Sequence, residues 1–275
     1  MGFKTNRKGE RMKTRLLFAA ASAVLMAGAL RAQQQPNYYQ TVNCIKVTDG
    51  KFDEYRQFIN DAVKPMMQAR ANAGEIVAWS SMRSVMPAGT EARCDYRTVT
   101  LYDGVPPAPR GGQGLTDSLK AAGVKMTAAE YVAKRNSVSH LVAAEMWRSR
   151  VRVGQPQKGN YLFLNHMKVH DAAAYTKFET EVWRPLAEEW VKEGDQTGWV
   201  FNTLVLPSGT DTKYTMVTAD IFPNWAAAFK LRDMAAAFKK VHPGKDLEHT
   251  MEDVGKMRDL AVRDLLVIEE RVTKQ

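Results

Sequence analysis

The sequence predicts an α+β fold built from two βαββαβ units in tandem. Three observations predict it. Short β-branched and aromatic runs alternate with helical periodicities. Residues recur in the same order at a spacing near 120. A chain of 275 residues has room for one large domain or two of ordinary size.

The recurrence is specific. Asn43, Lys46, Val47 and Asp49 return as Asn165, Lys168, Val169 and Asp171, 122 residues later. Tyr55, Phe58, Pro65, Gly74, Trp79, Val85, Pro87, Gly89 and Thr90 return 120 residues later as Tyr175, Phe178, Pro185, Gly194, Trp199, Val205, Pro207, Gly209 and Thr210. Tyr96, Val99 and Thr100 return as Tyr214, Val217 and Thr218 at an offset of 118. A period this long makes each copy a small domain, spanning 37–153 and 160–273, rather than a solenoid turn.

In the first copy, Tyr38–Val47 reads as a strand. Asp49-Gly50 is a turn with Asp49 as helix N-cap. Phe52, Tyr55, Phe58, Ile59, Ala62, Val63 and Met66 keep helical spacing. Pro65 lies inside that run and is expected to kink it. Gly74 ends the helix, and Ile76–Met86 is the second strand. Pro87-Ala88-Gly89-Thr90 makes a turn and Tyr96–Tyr102 a third strand. Residues 104–114, rich in Gly and Pro, are expected to be a loop over one mouth of the cavity. Helices follow at Leu115–Ala122 and Ala128–Arg135, then a strand at Leu141–Val151. The second copy gives strands at Tyr161–Val169, Thr197–Leu206, Tyr214–Phe222 and Leu265–Val272, with helices at Tyr175–Glu193 and across 224–258. The order β-α-β-β-α-β is that of the ferredoxin-like unit, whose sheet has one face on helices and one bare. A bare apolar face needs a cover, and the two copies are expected to cover each other, sheet to sheet.

The N-terminus reads as an address. Residues 1–32 hold seven Lys/Arg and one acid, so +6 of the net +9 lies there and +3 remains for the rest. Leu16–Leu30 is an uncharged apolar run of 15 residues, too short to span a bilayer comfortably. Basic, apolar and small-residue regions in that order describe a signal peptide over 1–32. Translation starts at Met1 or Met12, and cleavage falls after Ala29 or Ala32. An uncleaved anchor is the alternative. The expected location is periplasmic or secreted. There Cys44 and Cys94 are a disulfide candidate, with two buried thiols as the alternative.

Element order, the repeated Lys64-Pro65 and Arg184-Pro185 helices and the repeated tryptophan strands resemble the dimeric α/β-barrel superfamily, here in fused single-chain form. That superfamily includes antibiotic-biosynthesis-type monooxygenases, NIPSNAP-like proteins, haem-degrading monooxygenases and chlorite dismutase relatives. The resemblance covers about residues 37–273 and implies a cavity between the sheets. It does not imply one reaction. In the unit's usual topology the first strand lies beside the third, which permits a Cys44–Cys94 bond. Asn43, Trp79, Asn165 and Trp199 resemble the polar and aromatic lining of cofactor-free and haem-degrading members. They are the candidate cavity residues, with satisfied core amides and core tryptophans as the alternative. His166 follows Asn165, so alternation puts it on the other face, away from a haem-ligating arrangement.

Other chemistry finds little support. His166 and His170 fall on a strand and its turn, too far apart for one metal. His242 and His249 read as surface histidines. There is no nucleophile elbow, no P-loop and no dinucleotide fingerprint. Arg148, Arg150 and Arg152 alternate on the last strand of copy one. They either line one face and hold an acidic ligand or protect a sheet edge by charge. No cofactor, no metal, no nucleic acid and no permanent membrane anchor is expected. The expected protein is a monomer containing an internal pseudo-dimer. Its function is either the binding of a small apolar or aromatic molecule, cofactor-independent oxygenation of one, or a structural role with a filled barrel.

Overall fold

The computed structural model describes residues 1–2, 37–89 and 92–275. The expected signal peptide lies almost wholly outside the described residues. Among the described residues no helix is long and apolar enough to cross a membrane. Residues 37–275 form one compact unit.

Eight antiparallel strands make up that unit: β1 Tyr38–Val47, β2 Ala78–Met86, β3 Tyr96–Asp103, β4 Ser139–Gly154, β5 Tyr161–Val169, β6 Gly198–Leu206, β7 Met216–Phe222 and β8 Arg258–Thr273. They close into a barrel in the order β1-β3-β2-β8-β5-β7-β6-β4. Strands β1–β4 take the order β4-β1-β3-β2, and β5–β8 take the order β8-β5-β7-β6. The two sets meet along hydrogen-bonded seams, β2 with β8 and β4 with β6. Their bare faces are therefore joined edge to edge as well as opposed. Among the described residues closure leaves no exposed sheet edge, so β4 is not an edge strand and the edge-protection reading of its arginines fails.

The third-strand repeat needs correcting by two residues. Asn43 pairs with Thr98 and Asn165 with Thr218. Structural equivalents on β3 and β7 are thus 120 residues apart, rather than the 118 that matches Tyr96 to Tyr214. A two-residue slide keeps every side chain on its face, so the apolar pattern alone does not expose it.

Each set carries helices on its outer face. In the first, α1 (Phe52–Phe58) runs through a π-helical turn, Ile59–Val63, into α2 (Lys64–Asn72). In the second, α5 (Ala172–Phe178), a π turn Glu179–Trp183 and α6 (Arg184–Glu193) repeat the arrangement. Pro65 and Pro185 each occupy the second position after the π turn. Proline has no N–H for the carbonyl four residues back, and a widened turn absorbs that gap. The kink expected at proline is therefore a π turn just before it. Asp171 caps α5 by accepting from the Ala173 and Ala174 amides, at 3.1 and 2.9 Å. Its counterpart Asp49 does not cap α1, which starts from Lys51 with no side-chain cap.

Helix α3 (Gly111–Ala121) begins four residues earlier than expected, so the loop after β3 ends at Arg110. Helix α4 (Ala128–Val138) is held by a capping box between Thr127 and Glu130. In the second set, α7 (Trp225–Phe229), α8 (Met234–Val241) and α9 (Leu247–Met257) fill the corresponding stretch. The main cores lie between helices and sheet. One gathers Tyr55, Phe58, Ile59, Trp79 and Tyr96; the other gathers Tyr175, Leu186, Trp190, Trp199 and Phe201.

Candidate functional site

Inside the barrel lies a cavity of about 110 Å³. Strand alternation decides what lines it. On β1 the inward residues are Gln40, Val42 and Cys44; on β2, Ala78, Ser80 and Met82; on β5, Leu162, Leu164 and His166; on β6, Val200 and Asn202. Asn43, Trp79, Asn165 and Trp199 are the odd neighbours of these residues and take the opposite, helix-covered face. The expected cavity residues are thus corrected. Trp79 and Trp199 are fully buried core residues of the two helix–sheet layers. Asn43 reaches Thr98 Oγ1 at 3.4 Å. Asn165 donates to Thr218 Oγ1 at 3.2 Å and to Asp220 Oδ2 at 2.9 Å, and accepts from Arg263 Nε at 2.6 Å. Their chemistry is satisfied between helix and sheet, a step of one residue away from the cavity. The segment 104–114, expected over one mouth, is a loop only as far as Arg110 and then enters α3. Pro106–Arg110 border an outer groove with Met66, Met67 and Tyr102.

β1 and β5 run one way and β4 and β8 the other, so the cavity has two distinct ends. At the end reached by the C-terminal parts of β1 and β5 is a dense polar cluster. Arg97 Nη2 donates to Asp264 Oδ2 at 2.5 Å, both buried. Tyr214 donates its hydroxyl proton to Glu145 Oε1 at 2.6 Å while accepting from Arg93 Nη1 at 2.6 Å. The Trp147 indole N–H donates to Glu145 Oε2 at 3.1 Å. His166 packs against the Tyr214 ring at 4.4 Å between centroids. Its Nδ1 is buried without a hydrogen-bond partner. Burial, then Arg97 and Arg93, pull the imidazole down to about 3, so it is neutral at ordinary pH. The Cys44–Cys94 disulfide forms part of this wall, bridging Cα atoms 5.2 Å apart.

The other end holds Gln40, Pro156, Arg152 and Arg271. Between the ends the wall is apolar, with Val42, Val99, Leu101, Leu164, Val217 and Ile268 among its residues. Of the three arginines singled out on β4, only Arg152 lines the cavity. A register shift between Ser149 and Val151 makes Arg150 a bulged residue. Arg150 turns outward, donating to Thr203 Oγ1 at 3.0 Å, and the strand's phase flips so that Arg152 faces in. Arg148 alternates with the inward Trp147 and takes the outer face. Arg271, Glu145, Arg97 and Tyr214 were not anticipated as lining residues. A signal for Arg271 existed: it sits two residues from the end of β8, as Arg152 does in β4.

The histidines do not converge. His170 Nε2 lies 2.9 Å from Asp259 Oδ2. His242, expected on the surface, is buried with Nε2 2.9 Å from the Val182 carbonyl. His249 is exposed near Glu252 and Asp253. Among the described residues no group of three or more His, Cys, Asp or Glu is placed to hold a metal.

A second buried polar group lies between the π turn Glu179–Trp183 and the sheet. Glu179 is buried, and one of its oxygens and the Tyr175 hydroxyl have no partner. Burial pushes Glu179 up to about 8, with nearby Asp220 adding to the rise. Asp220 is raised as well, again by burial first.

No protein-family model matches the sequence. No curated protein matches it. Solved structures do. A chain from Lactobacillus acidophilus NCFM, provisionally named a monooxygenase, superposes with a TM-score of 0.52 at 13% identity, covering 86% of this chain and 97% of that one. A chain from Fusobacterium nucleatum subsp. nucleatum, named in the same provisional way, gives 0.53 at 9% identity, covering 86% and 95%. This protein shares with those two chains the fold described above, an α+β barrel of eight antiparallel strands clothed in helices. At these identities the likeness speaks for fold alone.

Proposed function

We propose that this protein is exported and binds a small apolar or aromatic molecule inside its barrel. We further propose that its two βαββαβ halves are a fused, single-chain counterpart of a two-chain barrel, working as a monomer. The observation that carries the binding reading is the cavity itself: an apolar waist between two charged ends. Its volume is of the order that takes a single aromatic ring, since a cavity of roughly 150 Å³ lined by aliphatic side chains and Phe accommodates benzene. The disulfide supports export, because such bonds persist outside reducing compartments. Closure by β2–β8 and β4–β6 supports the monomer, because no sheet edge is left to recruit a second chain.

The alternative is cofactor-independent oxygenation, suggested by the names of the two solved structures. His166, the imidazole on the cavity wall, argues against it as base. A group pulled down to about 3 is a weak proton acceptor at neutral pH.

Native and denaturing mass spectrometry of the exported protein tests the reading. The expected result is a monomer lacking the leader, two hydrogens lighter than the reduced chain, with a retained small mass. Filling the cavity with Ala219→Phe is expected to abolish that retention while the chain stays folded. Retention that survives Ala219→Phe contradicts the cavity reading. Oxygen uptake with a quinol-type compound, dependent on His166, would favour the enzyme.

A further inference from the structure

We propose that the molecule taken up by the barrel is an acid, whose carboxylate sits between the guanidinium groups of Arg152 and Arg271. The inference rests on the cavity reading above and names the ligand class that reading leaves open.

Both arginines line the same cavity at the same end. They come from corresponding places, two residues before the ends of β4 and β8. At the opposite end the buried Arg97 is neutralised by Asp264, and Arg93 lies near Glu145, with 3.8 Å between Nη2 and Oε1. Nothing comparable serves Arg152 or Arg271. Among the described residues neither forms an ion pair, and Arg271 Nη1 donates to the neutral Ser80 hydroxyl oxygen at 3.1 Å. Two like charges in one partly buried wall repel each other, and an anion between them relieves that repulsion. The cost shows on Arg152, drawn down to about 10 by burial and then by Arg271. It still carries its proton at neutral pH, so the charge persists and calls for a counter-charge.

Chemistry narrows the anion. A guanidinium presents a planar fork that matches a carboxylate in two parallel hydrogen bonds. Leu101, Leu162 and Ile221 stand on the strands beside this end, so the body attached to the anion is apolar. Gln40, nearby and buried, adds an amide for a second oxygen. A simple inorganic anion satisfies the arginines and leaves the apolar waist unused. An aromatic or short branched monocarboxylic acid uses both.

Titration calorimetry on the disulfide-bonded chain tests this with three probes: benzoate, benzyl alcohol and inorganic phosphate. Benzoate is expected to bind about tenfold or more tightly than benzyl alcohol and more tightly than phosphate. Arg152→Gln and Arg271→Gln are each expected to bring benzoate to within about threefold of benzyl alcohol. Benzyl alcohol is expected to lose much less affinity than benzoate in each variant, and a thermal unfolding midpoint near the parent's shows that the variants fold. Arg152→Lys, keeping the charge without the fork, is expected to fall between. Equal binding of benzoate and benzyl alcohol overturns the inference, as does a preference surviving both Gln variants, or phosphate binding tighter than benzoate. Binding of neither aromatic probe overturns the cavity reading itself.

Discussion

At the residue scale the molecule is governed by charges held away from water. Glu179 is the sharpest case. Its folded carboxyl is raised to about 8, above the ordinary value near 4.5, so the folded state holds a proton that the unfolded chain releases. Stability is therefore greatest below about pH 4.5 for this group and falls as pH rises towards 8. Glu179→Gln keeps the shape without the titration. Urea melts of parent and variant between pH 5 and 9 are expected to converge at the acid end. At pH 8 to 9 the variant is expected to be more stable by something on the order of 1–3 kcal/mol. A constant difference across that range contradicts the assignment. Arg97 and Asp264 behave differently, because each answers the other. Asp264→Asn leaves a buried guanidinium alone and is expected to cost about 3–5 kcal/mol. Arg97→Met with Asp264→Leu removes both charges and is expected to recover most of that loss. Chemical denaturation of the single and double variants measures both.

At the element scale, strand alternation and bulges decide which chemistry reaches the cavity. Identity was legible in the sequence while placement was not. Asn43 and Asn165 recur, and both are buried or half-buried polar groups on matching strands. A shift of one residue is invisible in a run such as Tyr38–Val47, where both faces are covered: odd positions by helices and even positions by the barrel interior. Polar and apolar residues then occur on each face, and the usual alternation signal is lost. The bulge at Arg150 is likewise silent in sequence, and it alone separates Arg152 from Arg148 and Arg150. The disulfide was legible as a candidate because the expected neighbours β1 and β3 are neighbours. It closes a loop of 50 residues, for which chain entropy predicts about 4 kcal/mol of stabilisation. Cys44→Ser with Cys94→Ser is expected to lose much of that and to lower the midpoint of thermal unfolding. An unchanged midpoint contradicts a structural role for the bond. The proline-linked π turns show a third limit. Pro65 and Pro185 announce a disturbance in each helix, and the structure absorbs it one turn earlier.

At the scale of the whole molecule, one chain closes a barrel with alternating strands and clothes it in helices. The element order was readable because every connection is local and the helical and strand periods differ. Closure was not readable in detail, because the seams β2–β8 and β4–β6 join residues far apart in sequence and carry no local mark. What closure creates is the enclosed waist between the polar cluster and the Arg152–Arg271 end. Helix–sheet cores lie outside it and are filled by large aromatics, and Trp79 and Trp199 stand there, while Trp147 faces the cavity. On the proposed function the waist, and not the helix-covered face, receives a small molecule. Methyl-resolved NMR during a titration with benzyl alcohol tests it most directly. Saturable shifts are expected at Leu162, Leu164, Val217 and Ile268, with Val63, Val182 and Val254 of the helix–sheet cores unmoved. Shifts confined to the helix-side methyls, or no saturable shift at the four waist residues, would contradict it.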